Sequence, residues 1–236
     1  MCCTPPLVSI GEPMSDQGDT ALTPAARTIL YGSLAQAFNY PDEALAGALA
    51  DGELLAMPAD VLPMRAIEIL RPLDVYRGTG RKALLLDLER DYTWMFFASK
   101  PRIAYLFESV YNEGKLYQES TFQIARLYHD AGLKVEEAFK LPPDHIAVEL
   151  EFTAYLAFSE SEAITKGNRE NEQYARELQE KVLAEHLRPF AFALGDRIHE
   201  NAKTDFYRAI GELLMQLFRP QKALPQGQKT FFTPVP

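Results

Sequence analysis

The chain has 236 residues, 47% of them hydrophobic, and its 33 acidic and 24 basic side chains leave a formal net charge of −9. That length and apolar content suit one large folded domain and exclude a disordered chain. The acidic balance excludes nucleic acid and an anionic membrane as main partners, since both need a basic footprint, while a basic partner stays compatible.

Residues 1–20 are rich in Pro, Gly, Ser and Asp without a sustained period, and are expected to form a disordered tail. The only cysteines, Cys2 and Cys3, are adjacent, so neither a disulfide framework nor a spaced thiolate metal site is available. The first basic residue is Arg27, which leaves no charged leader, and no apolar run reaches the roughly 18 residues of a membrane span. A soluble cytoplasmic protein with no stable membrane association is expected, in a reducing compartment.

Residues 21–220 follow the helical period. Thr23-Pro24 is an N-cap with proline at the first helical position, after which Leu30, Leu34, Ala37 and Phe38 share a face until Pro41. From Arg81 to Ala98 the positions Leu84, Leu88, Tyr92, Met95 and Phe96 repeat that spacing. Within it, "DYTWMFF" places four aromatics that cannot share one core face, because Trp94 and Phe97 point away from Tyr92 and Phe96. They make either a helix buried between two layers or the wall of an apolar groove. "ESVYNEGKLY" permits a short hairpin around Asn-Glu-Gly, with nothing nearby to extend it. Ser99 to Glu119 therefore reads as an ordered connection between two helix groups. Ser120 and Gln123 form a capping box ahead of Ile124, Leu127 and Tyr128. Phe206, Ala209, Ile210, Leu213, Leu214 and Leu217 give the clearest apolar stripe, and residues 221–236 are expected to be a flexible, proline-containing tail. The predicted fold is an all-α bundle with little or no sheet.

Enzyme motifs are missing. No His-Glu-x-x-His or Glu-x-x-His pattern is present, "RGTGRKA" has the wrong spacing for a phosphate loop, and no nucleophile elbow occurs. No metal, no cofactor and no catalytic nucleophile are expected. The stretch "KLPPDHIAVELEF" is different. Asp144 after two prolines reads as the cap of the next helix, with His145 a half-buried neighbour bonded to Glu149 one turn on. Glu149, Phe152 and Leu156 share a stripe with His145, a mixture that also suits an acid–base site on a small molecule.

Several motifs, taken in order, resemble the TorD/DmsD family of molybdoenzyme-maturation chaperones. "YGSLAQAFNYPD", "DYTWMFF", "ESVY", "LYHDAGL", "PPDHIAVELEF", "AEHLRPFAFAL" and "TDFYRAIGELL" cover Leu30 to about Phe218. Pro189-Phe190 depart from the family pattern, and Pro189 is expected to break the helix there. The resemblance implies an all-α fold without turnover. It also implies binding of a molybdopterin oxidoreductase catalytic subunit, in its apo form, and of its twin-arginine signal peptide, so that cofactor insertion precedes export. The peptide-binding residues so implied are Asp144, His145, Trp94, Phe97 and Tyr111, with Glu149 beside them. The protein is expected to be a monomer or a dimer made by exchanged helices. A helical enzyme using Asp144, His145 and Glu149 remains the alternative.

Overall fold

A computed structural model describes residues 22–53, 64–133 and 141–219. The tails expected at 1–20 and 221–236, with Cys2 and Cys3, lie outside the described residues.

Thr23 starts α1 (Pro24–Ala37) as expected, its hydroxyl accepting from the Ala26 N–H at 3.2 Å. Leu30, Leu34, Ala37 and Phe38 are all buried. Asp42 caps α2 (Glu43–Asp51), and Gly52 closes that helix in the left-handed conformation at φ 74°. α3 (Met64–Leu70) runs into a 3-10 segment, Arg71–Tyr76. α4 (Arg81–Thr93) continues into a π-helical turn, Trp94–Ala98. Next come α5 (Glu108–Glu113), α6 (Glu119–Asp130), α7 (Ile146–Thr165) and α8 (Arg169–Val182). A second π-helical turn, Leu183–Leu187, leads into α9 (Arg188–Asn201), and α10 (Asp205–Leu217) completes the bundle.

α7 packs between α1 and α8, while α9 pairs with α10. One apolar core runs from Leu30 to Phe218, so the helices form a single packed body around it. Among the described residues the only strand-like pairing is an isolated antiparallel bridge between Phe107 and His145. The all-α reading stands.

Three local expectations do not. The Asn-Glu-Gly hairpin is instead the end of α5, whose chain reverses at Gly114 with φ 78°. The Ser120–Gln123 capping box is replaced by a cap from outside the helix. The Glu113 carboxylate accepts from the Ser120 N–H at 3.1 Å and from its hydroxyl at 2.9 Å. Pro189 does not break its helix. The Arg188 N–H donates to the Leu183 carbonyl five residues back, and that widened turn accommodates the proline ring.

α9 and α10 touch through backbone. A Cβ added at Gly195 would lie 2.7 Å from the Gly211 carbonyl oxygen, and one at Gly211 would meet the Gly195 carbonyl at 2.7 Å. Only glycine at both positions allows this approach.

Candidate functional site

Asp144 does cap a helix, but not the one directly after it. Its Oδ2 accepts from the Ser109 N–H at 3.0 Å and the Ser109 hydroxyl at 2.5 Å, and its carbonyl accepts from the Glu108 N–H at 2.9 Å. These groups stand at the start of α5, whose own N-cap, Phe107, offers no side-chain acceptor. α7 is capped by His145 instead. Its backbone is extended and its Nδ1 accepts from the Ala147 N–H at 3.1 Å. A nitrogen that accepts carries no proton, so the ring is neutral with its hydrogen on Nε2. The expected His145–Glu149 bond is absent, and both Glu149 carboxyl oxygens are buried without a partner.

The junction continues inward. Glu108 Oε2 lies 2.9 Å from His186 Nδ1 in the second π-helical turn, and Asn112 donates to Glu108 Oε1 at 3.0 Å. Tyr128 of α6 donates to the Pro143 carbonyl at 2.8 Å, and the Phe107 ring sits edge-on to His145 at 5.2 Å. A cap, a bridge and a buried acid–imidazole pair thus tie α5, α6, α7 and the turn before α9 together. Asp144, His145 and Glu149 are 0%, 3% and 0% exposed. A small molecule therefore has no route to them in this arrangement. Among the described residues, no group of three or more His, Cys, Asp or Glu is placed to hold a metal.

Burial sets the electrostatics. It pushes the Glu149 carboxyl well above the usual range, and the neighbouring Glu108 and Asp144 push it further. Glu108 is raised by burial too, with His186 opposing. Burial pulls His145 down to about 4, against the attraction of Asp144.

These shifts fix a pH dependence. Above its ordinary pKa of 4.5, Glu149 loses its proton in the unfolded chain and keeps it in the folded one, so stability falls as pH rises. His145 acts oppositely between about 4 and its ordinary 6.5, where only the unfolded chain takes up the proton. His145 offsets Glu149 up to that point, and above it the raised carboxyls of Glu149 and Glu108 both lower stability as pH rises. Above pH 6.5 the stability should decline as pH rises, and Glu149→Gln should remove up to about 1.4 kcal/mol per pH unit of that slope. Denaturation midpoints across the range check this, and identical slopes for both proteins would contradict it.

The other predicted residues lie towards solvent. Trp94 is 41% and Phe97 53% exposed, whereas Tyr92, Met95 and Phe96 of the same stretch are buried. Lys203 stands over the Trp94 ring at 4.5 Å, and Arg102 lies over Phe97 at 5.6 Å and Tyr105 at 5.7 Å. Tyr111 is half-buried, its hydroxyl accepting a long 3.4 Å bond from the Tyr105 N–H, and burial raises it to about 12. Phe97, Arg102, Tyr105 and Tyr111 therefore form one connected surface, separate from buried Asp144 and His145.

Sequence reasoning missed a groove of about 360 Å³ between α1, α2 and α10. Leu34, Leu45, Ala48, Ile210 and Leu213 line it, with Tyr40 and the exposed Asp42 at its edge. Tyr40 packs edge-on to Tyr92 at 5.5 Å, and Tyr92 contacts Phe97 at 5.8 Å. Ring contacts through the buried Tyr92 thus link Tyr40 at the groove to the exposed Phe97. Its walls come from segments far apart in sequence, so no local pattern marks it. Glu108, Ser109 and His186 were also missed, although they stand in the motifs "ESVY" and "AEHLRPFAFAL".

The chain matches known proteins. The model of the family described as "Nitrate reductase delta subunit" matches residues 61–195. A protein named "Chaperone protein TorD" from Vibrio cholerae serotype O1 is 27% identical over 147 residues, covering 62% of this chain and 66% of that one. A protein of the same name from Escherichia coli O157:H7 is 28% identical over 139 residues, covering 59% and 64%. The chain spans just under two thirds of the length of these relatives. A crystal structure described as a redox enzyme maturation protein from Archaeoglobus fulgidus is similar at 21% identity, with a TM-score of 0.49, over 89% of this chain and 100% of that one.

Proposed function

Because the chain belongs to the nitrate reductase delta subunit family, we propose that it is a cytoplasmic chaperone for the catalytic subunit of a molybdopterin oxidoreductase. In this reading it binds that subunit's apo form and its twin-arginine signal peptide, and it catalyses no reaction. The relatives named as TorD chaperones support the chaperone part. One structural observation supports the peptide part: an apolar groove with the exposed Asp42 among its lining residues, whose Tyr40 is linked through Tyr92 to the exposed Phe97. An apolar stretch preceded by arginines needs such a surface.

The residues then divide by depth. Phe97 and Trp94 contact the peptide, and Tyr111 supports the loop that carries Arg102 and Tyr105. Asp42 offers charge to an arginine. Asp144 and His145 work from beneath, fixing α5 and the 99–107 connection against α7, with Glu149 buried beside them. An acid–base enzyme at those three residues is disfavoured by their burial.

Calorimetry with a peptide of two arginines followed by an apolar segment tests the reading. Changing both arginines to glutamine should weaken binding at least about tenfold, or roughly 1.4 kcal/mol. Phe97→Ala and Asp42→Asn should each weaken it too, and Asn still caps α2. Added salt should reduce affinity, because part of it is ionic. No binding, or equal binding of both peptides, would refute the signal-peptide reading.

A further inference from the structure

The groove has a resident candidate in this chain. Phe206, Ile210 and Leu213 line it at i, i+4 and i+7, so its wall runs along α10 towards that helix's C-terminal end. There Phe218 is buried and stacks on Tyr31 at 6.5 Å, next to Leu30 of the groove. Arg219, the last described residue of this stretch, is exposed and follows directly on Phe218.

The segment beyond Arg219 has the matching chemistry. Residues 220–236 hold Lys222 and Lys229 and no acid, in a chain whose formal net charge is −9. Lys222 directly precedes the apolar pair Ala223-Leu224, and Lys229 lies one residue before the pair Phe231-Phe232. Reach is sufficient. Returning from Phe218 to Ile210 covers about 12 Å along a helix, and an extended chain from Phe218 to Leu224 covers about 20 Å. The groove offers apolar walls to the pairs and the exposed Asp42 to a lysine.

We propose that residues 220–236 dock in the α1–α2–α10 groove of their own chain, so that an external peptide binds there only by displacing them. The displacement rests on the groove being the client surface, whereas the docking does not. Occupancy by the tail lowers the apparent affinity of any competitor by the fraction of chains whose groove is closed.

The test uses the full chain and a variant carrying Leu224→Asp, Phe231→Asp and Phe232→Asp, whose changes all lie beyond the described residues. The probe is a synthetic peptide of residues 220–236. The variant should bind it at least tenfold more tightly than the wild-type chain, whose groove is filled. Adding Ala48→Trp to the variant fills the groove from α2 without entering the core, and should abolish binding. Equal binding to wild type and variant, binding to neither, or binding that survives Ala48→Trp overturns the proposal. A wild-type dimer that the tail substitutions dissociate would place the tail in a second copy, which also overturns docking within one chain. The twin-arginine peptide, tested in parallel, should bind the variant more tightly than the wild type. If it binds neither while the tail peptide behaves as expected, the client reading fails and the docking stands.

Discussion

Gly195→Ala is expected to lower stability by about 3 kcal/mol, which for a chain of this size is a fall of roughly 10 °C in Tm. The added Cβ would stand 2.7 Å from the Gly211 carbonyl oxygen, 2.9 Å from the Leu214 Cβ and 3.1 Å from the Met215 N. Two of those three neighbours are backbone, which no rotamer change can move. α9 must therefore lift from α10, and the buried side chains between them lose contact. Gly211→Ala should act similarly, since its Cβ meets the Gly195 carbonyl and the His199 N at 2.7 Å each. The double substitution should fall short of the sum, because the first lift already makes room for the second. Gly32 in α1 supplies the control. Nothing lies within 4 Å of a Cβ placed there, so Gly32→Ala should stabilise by about 0.5–1 kcal/mol. Thermal midpoints of the four variants decide it, and a neutral Gly195→Ala would mean that the two helices do not approach this closely.

Asp144→Ala carries the second large effect. It strips the acceptor from two buried donors of Ser109, which water cannot replace without opening the junction. A loss of about 3 kcal/mol is expected, the size seen when a buried charged hydrogen-bonding partner is removed. Asp144→Asn keeps one acceptor oxygen for Ser109 and should cost about 1 kcal/mol. Ser109→Ala removes one of the two donors, so Asp144→Ala should cost less in that background than in the wild type. Hydrogen exchange locates the damage. Amides at the start of α5 should lose protection in Asp144→Ala while the first turn of α7, capped by His145, keeps it. Loss confined to α7 would return Asp144 to the role of a local cap.

Peptide affinity separates a supporting role from a contact. If Asp144 works from beneath, Asp144→Asn should leave affinity for the twin-arginine peptide nearly unchanged, whereas Phe97→Ala lowers it. A tenfold loss in Asp144→Asn, with α5 still protected, would show that the carboxylate itself meets the arginine.

Whatever depends on neighbours one helical turn away is legible in the sequence. The Thr23-Pro24 start of α1, the stripe from Phe206 to Leu217 and the outward turn of Trp94 and Phe97 all come from the 3.6-residue period and local cap chemistry. The motif order from "YGSLAQAFNYPD" to "TDFYRAIGELL" is enough to point to the family. Partners distant in the chain are not legible, because propensity and period say nothing of which helix end meets which side chain. Asp144 reads as the cap of α7 since it directly precedes that helix, but packing delivers its carboxylate to Ser109, 35 residues away. His145 then takes the vacant cap, and its expected bond to Glu149 does not form. Packing likewise brings Glu108 to His186, 78 residues on, and assembles a groove from α1, α2 and α10. The sequence thus determined the helices, their apolar faces and the divergence of Trp94 and Phe97 from Tyr92 and Phe96, but not their exposure. The tertiary structure alone decided which polar groups are sealed inside and which face a partner, since burial depends on every element packed against a residue.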